Sequence, residues 1–212
     1  MEHIFRVFDY NVYNAHDSSR ENSGSESDGA SYKKRIDTSI FMIQMFGVDE
    51  QGKTYSVVVD GFKPFFYVMV NDKWTIAMKE KFVAHLRDKM GTYYSDSITD
   101  SKIIKRKKLY GFDNNKEHKF IFLEFANLTA FNRAKNFWYS DYQSGHTLLK
   151  NGYKYLDTET RLYEAKIPPL LRFFHIKDMS PSGWIAIPKK KVVENKTNES
   201  KSVNCDFEFL TN

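Results

Sequence analysis

PFFYVMVNDKWTIAMKEKFVAHLRDKM, residues 64–90, passes from a strand-like run to a helical one, and that change decides the fold. Pro64 stands at the start of the first run, where a strand tolerates a missing N–H. Ile76, Phe82, Val83, Leu86 and Met90 then recur at helical spacing, and Gly91 supplies the stop. Downstream, KIIKRKKLYGF (102–112) and HKFIFLEF (118–125) read as two further strands. Asn127 is the predicted N-cap of a helix over 128–142 that turns Leu128, Phe131, Ala134 and Trp138 inward. RLYEAKI (161–167) is a last strand, and PPLLRFFHIK (168–177) a short helix with proline in its first turn.

The order strand, helix, strand, strand, helix, strand is the split βαββαβ arrangement of ferredoxin-like and RNA-recognition folds. Working outward, IFRVFDYNVY (4–13) alternates apolar and polar residues as a strand does. TSIFMIQMFGV and KTYSVVVDGF form a strand pair around the turn Asp49-Glu50-Gln51-Gly52. GWIAIP (183–188) and VNCDFEF (203–209) are two late strands. The predicted class is therefore α+β: a βαββαβ unit over 63–179, closed by the short helix, and a small antiparallel OB-like barrel unit from 1–62 and 180–212. Residues 14–35 are rich in Ser, Gly and acid with almost nothing to bury, which predicts a flexible insertion.

Composition agrees with a sheet-rich intracellular domain pair. The 212 residues include 16% aromatics, a group that strands favour. The single cysteine, Cys205, excludes an internal disulfide framework and a thiolate zinc site, and fits a reducing compartment. No apolar run reaches the roughly 20 residues that cross a bilayer, so no membrane partner is expected. The N-terminus lacks the basic-then-apolar order of a signal peptide. The net charge of +5 informs only through its location.

The densest basic run is Lys105, Arg106, Lys107 and Lys108, with Lys102 just before it. Clustered cations attract phosphate through Coulomb force and counterion release without reading sequence; the alternative is a lysine-guarded sheet edge. HKFIFLEF is apolar on both faces, so Phe120 and Phe122 are expected in a covered strand rather than on a base-stacking platform. The six histidines show no metal-binding spacing. Asp206 and Glu208 have a two-carboxylate spacing, but a two-metal site needs more acidic ligands, and an outward polar alternation is the simpler reading.

YEAKIPPLLRFFHIKDMSPSGWIAIP (163–188) resembles a segment of family B DNA polymerases, in which a strand ends in Ile-Pro, a helix carries Leu-Arg-Phe and a Gly-x-Trp strand follows. GFKPFFYVMV (61–70) resembles an earlier strand of that family, and KKLYGFD with FIFLEF fits the portion between. Together these resemble the N-terminal domain of a replicative polymerase of large nucleocytoplasmic DNA viruses. The resemblance implies a parent enzyme that copies DNA with 3′→5′ proofreading, its Mg²⁺ and deoxynucleotides held by other domains. No cofactor and no catalytic residue are implied within these 212 residues, which alone should neither polymerise nor degrade DNA. The implied partners are the single-stranded template, the remaining polymerase domains and a processivity factor, inside an infected host cell. By local match Tyr10, Pro64, Phe65, Ile167 and Arg172 stand at positions of a template-base pocket, while Pro169 departs from the aromatic residue found there. A free-standing single-stranded nucleic-acid binder and a purely structural interaction domain are the alternatives.

Overall fold

The computed structural model describes residues 2–16, 36–59, 61–108, 112–193, 201–203 and 208–209. Strands β1 (Glu2–His16), β2 (Ser39–Val48), β3 (Thr54–Val59) and β4 (Phe65–Val70) come first, followed by helix α1 (Ile76–Met90). Strands β5 (Ile98–Lys107) and β6 (Glu117–Phe125), helix α2 (Leu128–Lys135) and strands β7 (Tyr153–Tyr155) and β8 (Thr158–Tyr163) follow. Helix α3 (Pro169–Lys177), β9 (Gly183–Pro188), β10 (Val192–Val193), β11 (Lys201–Val203) and β12 (Glu208–Phe209) complete the chain. The fold is α+β, with two sheets and three α-helices among the described residues. Residues 17–35 of the expected insertion, the segment 194–200, Cys205 and Asp206 lie outside the described residues.

The chain divides into two compact units, one made of 1–15, 40–63 and 167–212, the other of 16–39 and 64–166. In the first, seven strands run in the order β10-β11-β3-β2-β1-β9-β12. β11 pairs parallel with β3, whereas β2–β3, β1–β9 and β9–β12 pair antiparallel. No pairing among the described residues joins β10 to β12. Phe41, Ile43 and Met45 alternate inward along β2, and Phe5 and Val7 do so along β1. The β2–β3 turn holds because the Asp49 carboxylate accepts from the amides of Gln51 (3.0 Å) and Lys53 (2.8 Å), while Gly52 takes φ +80°. α3 joins this unit, unlike the expected boundary at 179, because its buried rings find partners there. Phe173 meets Phe62 at 5.4 Å and Phe174 meets Tyr10 at 4.8 Å.

In the second unit the strand order is β5-β6-β4-β8-β7, every pair antiparallel. The chain order β4-α1-β5-β6-α2-β8 is the predicted βαββαβ sequence, with β7 added as a hairpin partner of β8. Phe66, Val68 and Val70 of β4 and Ile121, Leu123 and Phe125 of β6 form a core with Phe82, Val83, Leu86 and Met90 of α1 and Phe131 of α2. Burying such side chains contributes about 1.5–3 kcal/mol each. Thr75 caps α1 by accepting from the Met78 amide at 3.3 Å, and Gly91 ends it at φ +86°.

Several boundaries differ from the sequence reading; β1, for one, runs on through His16, so residues 14–16 of the expected insertion are strand. α2 stops at Lys135 rather than 142, passing through a 3₁₀ turn over Asn136–Trp138. Trp138 leaves the helix to place its fully buried indole, whose N–H donates to the Thr160 carbonyl at 3.0 Å, and Tyr139 then bridges to Leu148. β8 starts at Thr158 and ends at Tyr163, where Glu164 turns with φ +60°, so 164–167 is not strand. β5 begins four residues before the predicted start, across a bulge between Ile98 and Asp100.

One polar cluster on this unit makes stability pH-dependent. Lys89 Nζ donates to the Tyr153 hydroxyl at 3.0 Å, and that hydroxyl meets His85 Nε2 at 2.7 Å. Which of the two donates in that contact is set by the imidazole tautomer. Partial burial, then the Lys89 charge, hold the His85 pKa below its ordinary value, against a smaller opposing pull from Asp88. The folded state thus favours neutral imidazole. This contribution is complete above the unfolded value of about 6.5 and is lost as pH falls through the lower folded value. Urea midpoints at pH 8 and pH 5 should show a drop that His85→Gln makes smaller; an equal drop in the variant would exclude His85 as its source.

Candidate nucleic-acid interface

The β5–β6 hairpin carries the charge asymmetry of the whole chain. Residues 102–119 hold seven Lys and Arg against Asp113 and Glu117, a formal +5 that equals the net charge of all 212 residues. β5 is an edge strand of its sheet, so its outer side has no neighbouring strand among the described residues. Lys105, Arg106 and Lys107 are exposed and make no ion pair among the described residues. Their cross-strand partners are Lys119, His118 and Glu117, so side chains at alternate positions fan to both faces of the hairpin.

The other two cations of the run are committed. Lys102 Nζ lies 2.6 Å from Asp100 Oδ2, and Lys108 Nζ lies 3.2 Å from Asp113 Oδ2. Asp113 also takes His118 Nε2 at 2.6 Å, so one carboxylate ties the ends of both strands. The His118 hydrogen bond, and behind it Lys108, hold the Asp113 pKa below the ordinary carboxylate value despite an opposing desolvation effect. The turn continues through Asn114 and Asn115 at φ +54° and +60°, and the Lys116 amide donates to the Asp113 carbonyl at 3.1 Å. Asn is among the few residues that take this conformation at low cost. Lys116 is exposed and joins the open cations, although the basic-run reading did not include it. Leu109, Tyr110 and Gly111 of the expected strand lie outside the described residues.

Phe120, on the sheet face away from the helices, is 4% exposed, which removes it as a stacking platform and agrees with a covered strand. Phe122 is only half-buried, with Lys102 Nζ 5.8 Å from its ring centre. On the same face, Phe65 and Tyr67 lie 5.0 and 5.8 Å from Phe122, and Tyr163 lies 5.1 Å from Phe120.

The five residues matched to a template-base pocket are distributed over both units. Tyr10, on β1, Ile167, two residues before α3, and Arg172, on α3, belong to the first; Pro64, just before β4, and Phe65, its first residue, belong to the second. Tyr10 stands edge-on to Phe174, and its buried hydroxyl has no hydrogen-bond partner among the described residues. Burial pushes its pKa up to about 12. Pro64 is buried, and its carbonyl accepts from the Phe125 amide at 2.9 Å. Among the described residues no group of three or more His, Cys, Asp or Glu is placed to hold a metal ion. No described helix is long and apolar enough to cross a membrane.

No protein-family profile matches the chain. Individual proteins do. A DNA polymerase of Phaeocystis pouchetii virus is 44% identical over 98% of the chain, and one of Acanthamoeba polyphaga mimivirus is 27% identical over 98%. Over nearly all of its length the chain is thus homologous to DNA polymerases of large DNA viruses. The catalytic subunit of DNA polymerase delta of Schizosaccharomyces pombe is 28% identical over 85% of the chain, which extends this polymerase kinship beyond viruses. The chain spans 19%, 11% and 16% of those three proteins respectively. In structure it resembles the family B DNA polymerase of the archaeon Pyrobaculum calidifontis, with a TM-score of 0.53 and 13% identity over 94% of the chain and 19% of that enzyme. This likeness fixes the fold as one found within a family B polymerase.

Proposed function

We propose that these residues form the N-terminal, non-catalytic domain of a family B replicative DNA polymerase. There the domain holds the exonuclease and palm in place and meets the single-stranded template on its way to the active site. The observation that carries this reading is 44% identity across 98% of the chain to a viral polymerase about five times longer. A match that takes in nearly the whole chain but only a small share of the relative is what a domain of a larger enzyme produces. Synthesis with 3′→5′ proofreading, and the Mg²⁺ and deoxynucleotides it uses, then belong to the other domains, and a processivity factor is a further partner of the assembled enzyme inside the infected cell. Lys105, Arg106 and Lys107 are the groups best placed to meet template phosphates, since they are exposed and form no ion pair among the described residues.

Sequencing the gene beyond codon 212 tests the reading. The expected result is an open frame that continues into the acidic motifs of an exonuclease and a palm. A stop codon directly after Asn212 would overturn it in favour of a free-standing binder.

A further inference from the structure

Phe112 is 97% exposed, more than any other large hydrophobic side chain of the described residues. Its C-terminal side is held in place. The next residue is Asp113, which His118 and Lys108 hold from the two strands at 2.6 and 3.2 Å, and the backbone closes again at Lys116. A full phenyl ring is thus presented to water, and Lys105, Arg106, Lys107 and Lys116 of the same hairpin are exposed and form no ion pair among the described residues. Water alone gives no reason for this pairing, because an exposed phenyl gains nothing from solvent. Single-stranded nucleic acid matches both features: bases with free π-faces stack on aromatic rings, and the backbone places phosphates on either side. A duplex offers the phosphates but keeps its base faces stacked inside.

We propose that the β5–β6 hairpin is a single-strand finger, in which Phe112 stacks on an unpaired base while Lys105, Arg106, Lys107 and Lys116 engage the flanking phosphates. This rests on the reading that the chain meets the template strand, and adds which element grips it and how. The ring reads no sequence, since every base has a π-face, and so suits a surface past which any template must move.

The test measures binding of the 212-residue chain to labelled oligothymidylate, and to a duplex of equal length, at low salt. Phe112→Ala is expected to weaken single-strand binding about ten-fold and to leave duplex binding and the melting temperature unchanged. Phe112→Trp should restore affinity, and the oligonucleotide should quench emission beyond the change seen in wild type, in which Trp74 and Trp138 are buried and Trp184 is half-buried. Wild-type affinity in Phe112→Ala, or an equal loss toward duplex, would overturn the finger. A chain that binds no single strand at low salt would overturn it too. The gene beyond codon 212 is read independently, so a polymerase frame with an inert Phe112 would reject the finger alone.

Discussion

Asn127→Asp is expected to destabilise the chain by about 4 kcal/mol, the order of an uncompensated buried charge. Asn127 is fully buried and works in two directions. Its Oδ1 accepts from the Ala130 amide at 2.8 Å, which caps α2, while Nδ2 donates to Asp37 Oδ2 at 2.9 Å and to the Ser39 carbonyl at 3.0 Å. Aspartate keeps the acceptor and so preserves the cap. It replaces the donor with a second carboxylate oxygen directed at Asp37, itself only 8% exposed. Asn127→Ala removes both functions and leaves Asp37 short of one donor, at a cost of about 2–3 kcal/mol. The two variants separate by pH. Acidification toward pH 4 should narrow the gap between them, since protonating one carboxyl of the Asp pair restores a donor. Equilibrium urea denaturation of both variants at pH 7 and pH 4 checks this, and an Asp variant as stable as wild type at pH 7 would remove Asn127–Asp37 as a structural tie.

That residue also shows what the sequence discloses and what it withholds. The cap was legible, because asparagine followed by a helical apolar pattern is a local signal. The tie to Asp37 was not, since it spans 90 positions and joins segments whose proximity only the folded unit creates. Likewise, apolar spacing revealed the βαββαβ order, but the end of α2 depended on where the indole of Trp138 finds Thr160. β7 escaped notice because it has only three residues and its turn runs through Leu156 at φ +51°, a conformation that leucine does not advertise. α3 was placed as a helix but with the wrong unit, since which core receives Phe173 and Phe174 is a tertiary fact.

The candidate interface was partly legible for the same reasons. A basic run is visible as composition, and Lys105, Arg106 and Lys107 stand where it pointed, on an exposed edge strand. Composition could not tell that Lys108 is drawn to Asp113, or that Lys116 returns beside the run across the turn. Phe112 had been counted as the end of a strand, and only its exposure distinguishes it from the core phenylalanines around it.

The most direct test of the account is the salt dependence of single-strand affinity. The 212-residue chain and its Lys105→Glu/Arg106→Glu/Lys107→Glu variant would be titrated with oligothymidylate across a salt series. Each phosphate neutralised on a single strand contributes about 0.7 to the slope of log affinity against log salt. Wild type should therefore show a slope of about −2 to −3 from these cations and Lys116. The variant, folded and melting as wild type does, should bind far more weakly, with a slope shallower by about 2. Equal slopes and affinities for the two proteins would contradict the assignment of this hairpin as the contact with nucleic acid.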